Sequence, residues 1–251
     1  MTHHLVLKLA YDGSSYFGWQ KTKEGPSIES TLLQPLEIIF QEKLDLSAAS
    51  RTDRGVHANG QVVDFFCSHV PKDLSQLEVS LNQLLPPDIR CLSLFPAPKD
   101  DFHSTLSASG KTYKYYVTTA KVQKPAFRHT HWHVYNPLNI PLMKEASTIF
   151  LGTHDFRGFC NAHKDLTDET VRTVYSLNIT QAESELIFEI FGNSFLYKMV
   201  RNIVGTIISI GSGKLDLAAI DRTFRSRKRS LAGVTAPAHG LTLWEVNYVL
   251  S

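Results

Sequence analysis

The stretch Ser50-Arg51-Thr52-Asp53-Arg54-Gly55-Val56-His57-Ala58-Asn59-Gly60 places one carboxylate between two arginines in a glycine-bearing loop. Flanking cations favour the ionised form of Asp53, which suits a nucleophile better than a general acid. The glycines let the backbone hold that carboxylate exposed and fixed. The alternative is an Asx-type turn in which Asp53 only bonds neighbouring amides. A second stretch, from Asp101-Phe102-His103 through Ser107-Ala108 to Lys111-Thr112-Tyr113-Lys114-Tyr115-Tyr116, interleaves basic and aromatic residues. On a strand, Lys111, Tyr113 and Tyr115 share one face, a combination that binds phosphates while stacking an unpaired base. A half-buried strand using tyrosines for their β-propensity would read the same way.

A third group lies on an apolar helix around residues 195–210. Leu196, Met199, Val200, Ile203 and Val204 form its stripe, and Lys198, Arg201, Asn202 and Gly205 share another face. Such a face is commonly solvated. The apolar density around Arg201 instead points to a half-buried guanidinium that needs an anion. Two further clusters compete for attention. His129, His131 and His133 would put three imidazoles on one strand face, a possible metal arrangement that lacks a carboxylate or cysteine at familiar spacing. Arg222, Arg225, Arg227, Lys228 and Arg229 form the densest basic run, suited to a solvated helix end or to an RNA backbone.

The elements that must position these groups follow from periodicity and punctuation. A strand with alternating Leu5, Leu7 and Leu9 leads to the Asp12-Gly13 turn, and Ser27 caps a helix carrying Ile28, Leu32, Leu36, Ile39 and Phe40. Pro35 falls inside that helix and costs about 3 kcal/mol unless the helix kinks there. Strands are expected at 44–49 and 60–67, a helix at 74–84 ended by Pro86-Pro87, and a strand at 89–94. The order is that of a split βαβ unit. The second half is expected to repeat the theme: strand 111–119, helix 142–151, hairpin 175–190, helices 195–210 and 217–224, and a last strand at 241–249. The fold class is therefore α+β with mostly antiparallel sheets, divided into lobes at 1–104 and 105–251.

The 251 residues suffice for one large or two small domains, and 43% hydrophobic with 20% charged residues is ordinary globular usage. Twenty-six basic against 24 acidic residues leave +2, so a polyanion partner must be read from local patches. Cys67, Cys91 and Cys160 suggest neither disulfides nor a cysteine zinc site, and fit a reducing cytoplasm. The first residues read as a strand and not a signal peptide, and no apolar run is long enough for a membrane span.

Together these motifs resemble the tRNA pseudouridine synthase A family. The resemblance rests on Arg51-Thr52-Asp53 with Gly55-Val56-His57-Ala58 and Gly60-Gln61-Val62-Val63, on Asp101-Phe102-His103 with the Lys-x-Tyr-x-Tyr strand, and on Met199 to Gly205. Tyr11-Asp12-Gly13 with Phe17-Gly18-Trp19-Gln20, and Ala236-Pro237-Ala238-His239-Gly240-Leu241, extend it over essentially the whole chain. It implies two ferredoxin/RRM-like lobes around a central cleft, the pseudouridine synthase fold. It also implies a cytoplasmic, cofactor-independent isomerase that uses no metal, acts on tRNA at positions 38 to 40 of the anticodon stem-loop, and works as a homodimer. By the same resemblance Asp53 is the catalytic carboxylate, Tyr113 contacts the target uracil, Arg51 acts near the extruded nucleotide and Arg201 pairs with Asp53. The sequence departs from the family at Thr105, where an arginine is usual, and at His239, where an acid is usual. The competing readings are a catalytically idle RNA-binding module of the same shape and a metal-dependent hydrolase using the histidines.

Overall fold

In a computed structural model, residues 2–161 and 169–249 are described. The chain divides into two units, Met1–Ser109 with Thr242–Ser251, and Gly110–Leu241.

The first unit is built on β1 (His3–Tyr11), whose Leu5, Val6, Leu7 and Leu9 are all buried, so that both faces of the strand are covered. Next comes α1 (Ile28–Phe40). Ser27 caps it, its hydroxyl accepting from Ser30 N–H while the Ser27 N–H donates to Ser30 Oγ. The helix continues unbroken past Pro35. Burial of Ile28, Leu32, Leu36 and Phe40 on one stripe explains this. Each such side chain contributes about 1.5–3 kcal/mol, more in sum than the about 3 kcal/mol proline penalty. After β2 (Ser47–Ala48) and β3 (His57–Cys67), Asp73 caps α2 (Leu74–Leu84), and β4 (Ile89–Pro96) ends the unit's first run. β1 pairs antiparallel with both β3 and β4, Leu7 lying opposite Val63 and Leu94.

The second unit opens with β5 (Ala108–Thr118), followed by the short β6 (Trp132–His133), α3 (Ile140–Thr148) and β7 (Gly152–Asp155). β8 (Val171–Ala182) and β9 (Glu185–Gly192) form the expected hairpin. α4 (Met199–Gly211) and α5 (Ala218–Ser226) complete it. The strands run β5-β9-β8-β7, each antiparallel to the next, and β6 lies parallel to β5. Met143, Phe150, Phe156, Phe159, Phe188, Ile190, Ile203 and Ile207 fill its core.

The chain then returns to the first unit as β10 (Leu241–Tyr248), pairing parallel with β3 through Thr242–His57 and Leu243–Ala58. An α+β fold with mixed, mostly antiparallel strands is thus observed. The expected division at 104/105 differs from these units chiefly in this last strand. Strand bounds shift as well, and two of the shifts lie beside the Asp53 loop. The 44–49 strand shrinks to Ser47–Ala48, whereas β3 begins at His57 and not at Gly60, because β10 supplies a partner for His57 and Ala58. Among the described residues no helix is long and apolar enough to cross a membrane.

Candidate active site

Asp53 sits in the connection between β2 and β3, with Thr52 buried before it and Arg54 exposed after it. Upstream, the Gln61 side chain on β3 takes the place of a strand partner for Ser50. Its Nε2 donates to the Ser50 carbonyl at 2.6 Å, and its Oε1 accepts the Ser50 N–H at 3.2 Å. The same Nε2 lies 3.4 Å from Tyr11 Oη, and Tyr11 Oη is 2.8 Å from Thr52 Oγ1. Trp19 N–H donates to the Thr52 carbonyl at 3.0 Å. Here glycine is required. Gly18 has φ +92, and a β-carbon on it would lie 2.6 Å from the Thr52 carbonyl oxygen. Downstream, Val56 N–H closes the turn on the Asp53 carbonyl at 3.1 Å, and Gly13 N–H donates to His57 Nδ1 at 3.1 Å. The turn is thus closed by backbone, its upstream end pinned to Tyr11 of β1 and Gln61 of β3 and its downstream end to Gly13, just past β1.

These anchors were absent from the sequence reading, although Tyr11, Gly18, Trp19 and Gln61 all stand in the motifs that carried the resemblance. Thr52→Val keeps the shape but removes the hydroxyl from buried Tyr11. Leaving that phenol under-satisfied is expected to lower stability by about 1–3 kcal/mol. Misplacing the neighbouring carboxylate is expected to lower kcat roughly ten- to hundredfold with KM little changed, and Thr52→Ser restores both. Melting curves with steady-state kinetics check this.

The two arginines beside Asp53 part company. Arg51 is exposed, whereas the Arg54 guanidinium lies 4.0 Å above the Phe17 ring, a cation–π contact that braces the loop. The departure at Thr105 is also absorbed locally, its hydroxyl donating to the Ala48 carbonyl of β2 at 2.7 Å.

Tyr113 and Arg201 belong to the second unit. Lys111, Tyr113 and Tyr115 do share a face of β5, and all three are buried. Tyr115 is a core residue: its hydroxyl donates to the Pro237 carbonyl at 2.7 Å and burial pushes its phenol well up. Tyr113 packs edge-on against Phe195, ring centroids 5.3 Å apart. Phe195 therefore does not begin α4, which starts four residues later, after Lys198 in the left-handed region (φ 59).

The polar face expected on α4 is not solvated. Asn202 is fully buried, donating to the Phe159 carbonyl and Asn161 Oδ1 and accepting from Thr235 Oγ1 and Arg229 Nη2, all within 2.7–2.9 Å. Arg201, half-buried, donates from Nε to the Ala236 carbonyl at 2.8 Å.

Two other expectations change. In the 222–229 run, Arg222 pairs with Asp216 at 2.6 Å, Arg227 with Asp155 at 2.8 Å, and Arg229 is built into the Asn202 network. Arg225 and Lys228 are exposed, as are the paired Arg222 and Arg227. The histidines do not line one strand face either, since β6 spans only Trp132–His133. His131 stacks on Phe127 at 4.1 Å, and His133 Nε2 lies 2.7 Å from the Ala120 carbonyl. Among the described residues no three His, Cys, Asp or Glu side chains are grouped to hold a metal ion. The departure at His239 places its Nε2 3.1 Å from the His131 carbonyl.

Residues 9–105 and 146–249 match the family model described as tRNA pseudouridine synthase. The chain belongs to that family. It is 47% identical over 247 residues to tRNA pseudouridine synthase A 2 of Protochlamydia amoebophila (strain UWE25), covering 98% of this chain and 94% of the relative. It is 40% identical over 246 residues to tRNA pseudouridine synthase A of Acetivibrio thermocellus, covering 98% and 99%. Among solved structures, the archaeal box H/ACA sRNP Nop10-Cbf5 complex is similar at a TM-score of 0.38 and 10% identity, over 81% of this chain and 43% of that one.

Proposed function

We propose that the protein isomerises uridine to pseudouridine at positions 38 to 40 of the tRNA anticodon stem-loop, with Asp53 as nucleophile on a base flipped out of its stack. The observation that supports this best is the loop itself, a carboxylate between two ends fixed by buried hydrogen bonds. The reaction is redox-neutral. The bond from uracil N1 to ribose C1′ breaks, the ring turns, a bond from C5 to C1′ forms, the C5 proton leaves to solvent and N1 regains one. A carboxylate that attacks and is later released leaves the balance unchanged, so no cofactor enters it. Extruding the base costs a few kcal/mol. Arg51, exposed beside the loop, acts near the extruded nucleotide, while Tyr113 meets the uracil ring. Arg201 supplies a fixed cation for the anionic groups of the reaction. We further propose a cytoplasmic location, since a reducing compartment keeps three buried thiols free, and a homodimer, as the family resemblance implies.

Incubating the purified protein with unmodified tRNA transcripts and mapping pseudouridine by carbodiimide-dependent reverse-transcription stops tests the assignment. Stops are expected only in transcripts with uridine at 38, 39 or 40. Stops elsewhere would refute the target site, and tRNA binding without any stop would identify an idle RNA-binding module.

A further inference from the structure

Two cations stand at one end of the second unit's sheet with no carboxylate bonded to either among the described residues. The register sets Lys111 on β5 opposite Gly192 on β9, and Gly192 opposite Val174 on β8. Arg172 is two residues from Val174 and so shares its face. It also lies opposite His154, whose ring stacks on Phe224 of α5 at 4.8 Å, so this is the helix-covered face. Lys111 is only 8% exposed, and among the described residues no hydrogen bond or ion pair holds its ammonium. Arg172 donates from Nη1 to the Glu169 and Val171 carbonyls at 3.1 and 2.7 Å, while its Nε is a buried donor without an acceptor. Arg222 and Arg227, by contrast, each have an aspartate.

Burial and then the Arg172 charge pull the lysine down to about 8 from its ordinary 10.5. Below about pH 8 the folded protein therefore carries a desolvated cation that the unfolded chain keeps in water. That cost fades between about pH 8 and 10.5 as the unfolded chain's lysine also loses its proton. A cation placed at such a cost, with no partner among the described residues, is matched by an anion from outside.

We infer that Lys111 and Arg172 form a phosphate subsite that takes a backbone phosphodiester of the RNA. Tyr113 is two residues further along the same strand face, ~6.7 Å away, a distance that a single nucleotide spans. A phosphate held here fixes the strand beside the base that Tyr113 meets. This subsite rests on the RNA-substrate reading above.

Lys111→Met keeps the aliphatic stem and removes the charge. It is expected to melt no lower than the wild type at pH 7, yet to bind tRNA several-fold more weakly. The slope of log affinity against log salt should fall by about 0.9, and Arg172→Gln should lower it similarly. Lys111→Arg should retain most of the affinity. Unchanged affinity and slope in Lys111→Met would overturn the subsite, as would a lower melting temperature with unchanged tRNA affinity, the mark of a purely structural lysine. A second measurement needs no RNA. Inorganic sulfate should raise the titration midpoint of the Lys111 ammonium, followed by NMR, in the wild type and less in Arg172→Gln. A sulfate response without any tRNA binding would sink the RNA reading while leaving an anion site; no response at 100 mM, a concentration of about 0.1 M, would sink the anion site itself.

Discussion

Gly205→Ala is expected to destabilise the protein by more than about 3 kcal/mol. On helix propensity alone the exchange would stabilise by about 1 kcal/mol, so the sign is decided by packing. A β-carbon at this position of α4 would lie 1.7 Å from the Val234 carbonyl oxygen and 3.1 Å from the Ala236 nitrogen. Both are backbone atoms, so no rotamer change relieves the clash. The crossing chain is also tied down, Ala236 N–H donating to the Arg201 carbonyl at 3.1 Å and Gly233 N–H to Thr206 Oγ1 at 3.0 Å. Separating the two would break the contact that holds Arg201 Nε against the Ala236 carbonyl. A fall in melting temperature of roughly 6–12 °C is the expected reading. Gly213→Ala is the control. Gly213 has φ +74 with nothing within 4 Å of an added β-carbon, so it costs only about 1 kcal/mol of backbone strain. If Gly205→Ala melted with or above Gly213→Ala, the close crossing would be wrong.

What could be read from the sequence follows from the range of the signals. α1 and α2 were legible because the Ser27 cap of the first and the Pro86-Pro87 stop of the second are local. The strands of the hairpin were legible because their periodicity is local too. β10 could be recognised as a strand but not placed, since its pairing with His57 and Ala58 spans most of the chain. The same limit governs the site. Asp53 stood out by its neighbours in sequence, whereas the Gln61–Tyr11–Thr52 chain of hydrogen bonds joins residues 41 and 50 positions apart and has no local signature. Amphipathicity misled on Asn202, because a fully satisfied buried amide and a solvated one give the same helical pattern. The basic run misled for a related reason: Asp155, which pairs with Arg227, lies far off in the chain, and Asp216, which pairs with Arg222, stands six residues upstream, outside the run. Arg172, isolated in sequence, drew no notice until β8 and β9 placed it near Lys111.

The largest effect on activity is expected from Asp53. Its loop is held by Thr52, Ser50, Val56 and His57, through contacts that its own side chain does not make. Asp53→Ala should therefore fold and bind tRNA like the wild type. Removing a nucleophile leaves only positioning and binding to act on the substrate, and losses on the order of ten-thousandfold follow from such deletions. The isomerisation releases the C5 hydrogen of each uridine converted, so turnover can be counted directly. The measurement is tritium release from C5-labelled uridine in tRNA, under single-turnover conditions, by wild type and Asp53→Ala at matched tRNA occupancy. Release by the wild type and none above background by the variant is the predicted result. Equal release by both would contradict the assignment of Asp53 as the group that carries the reaction.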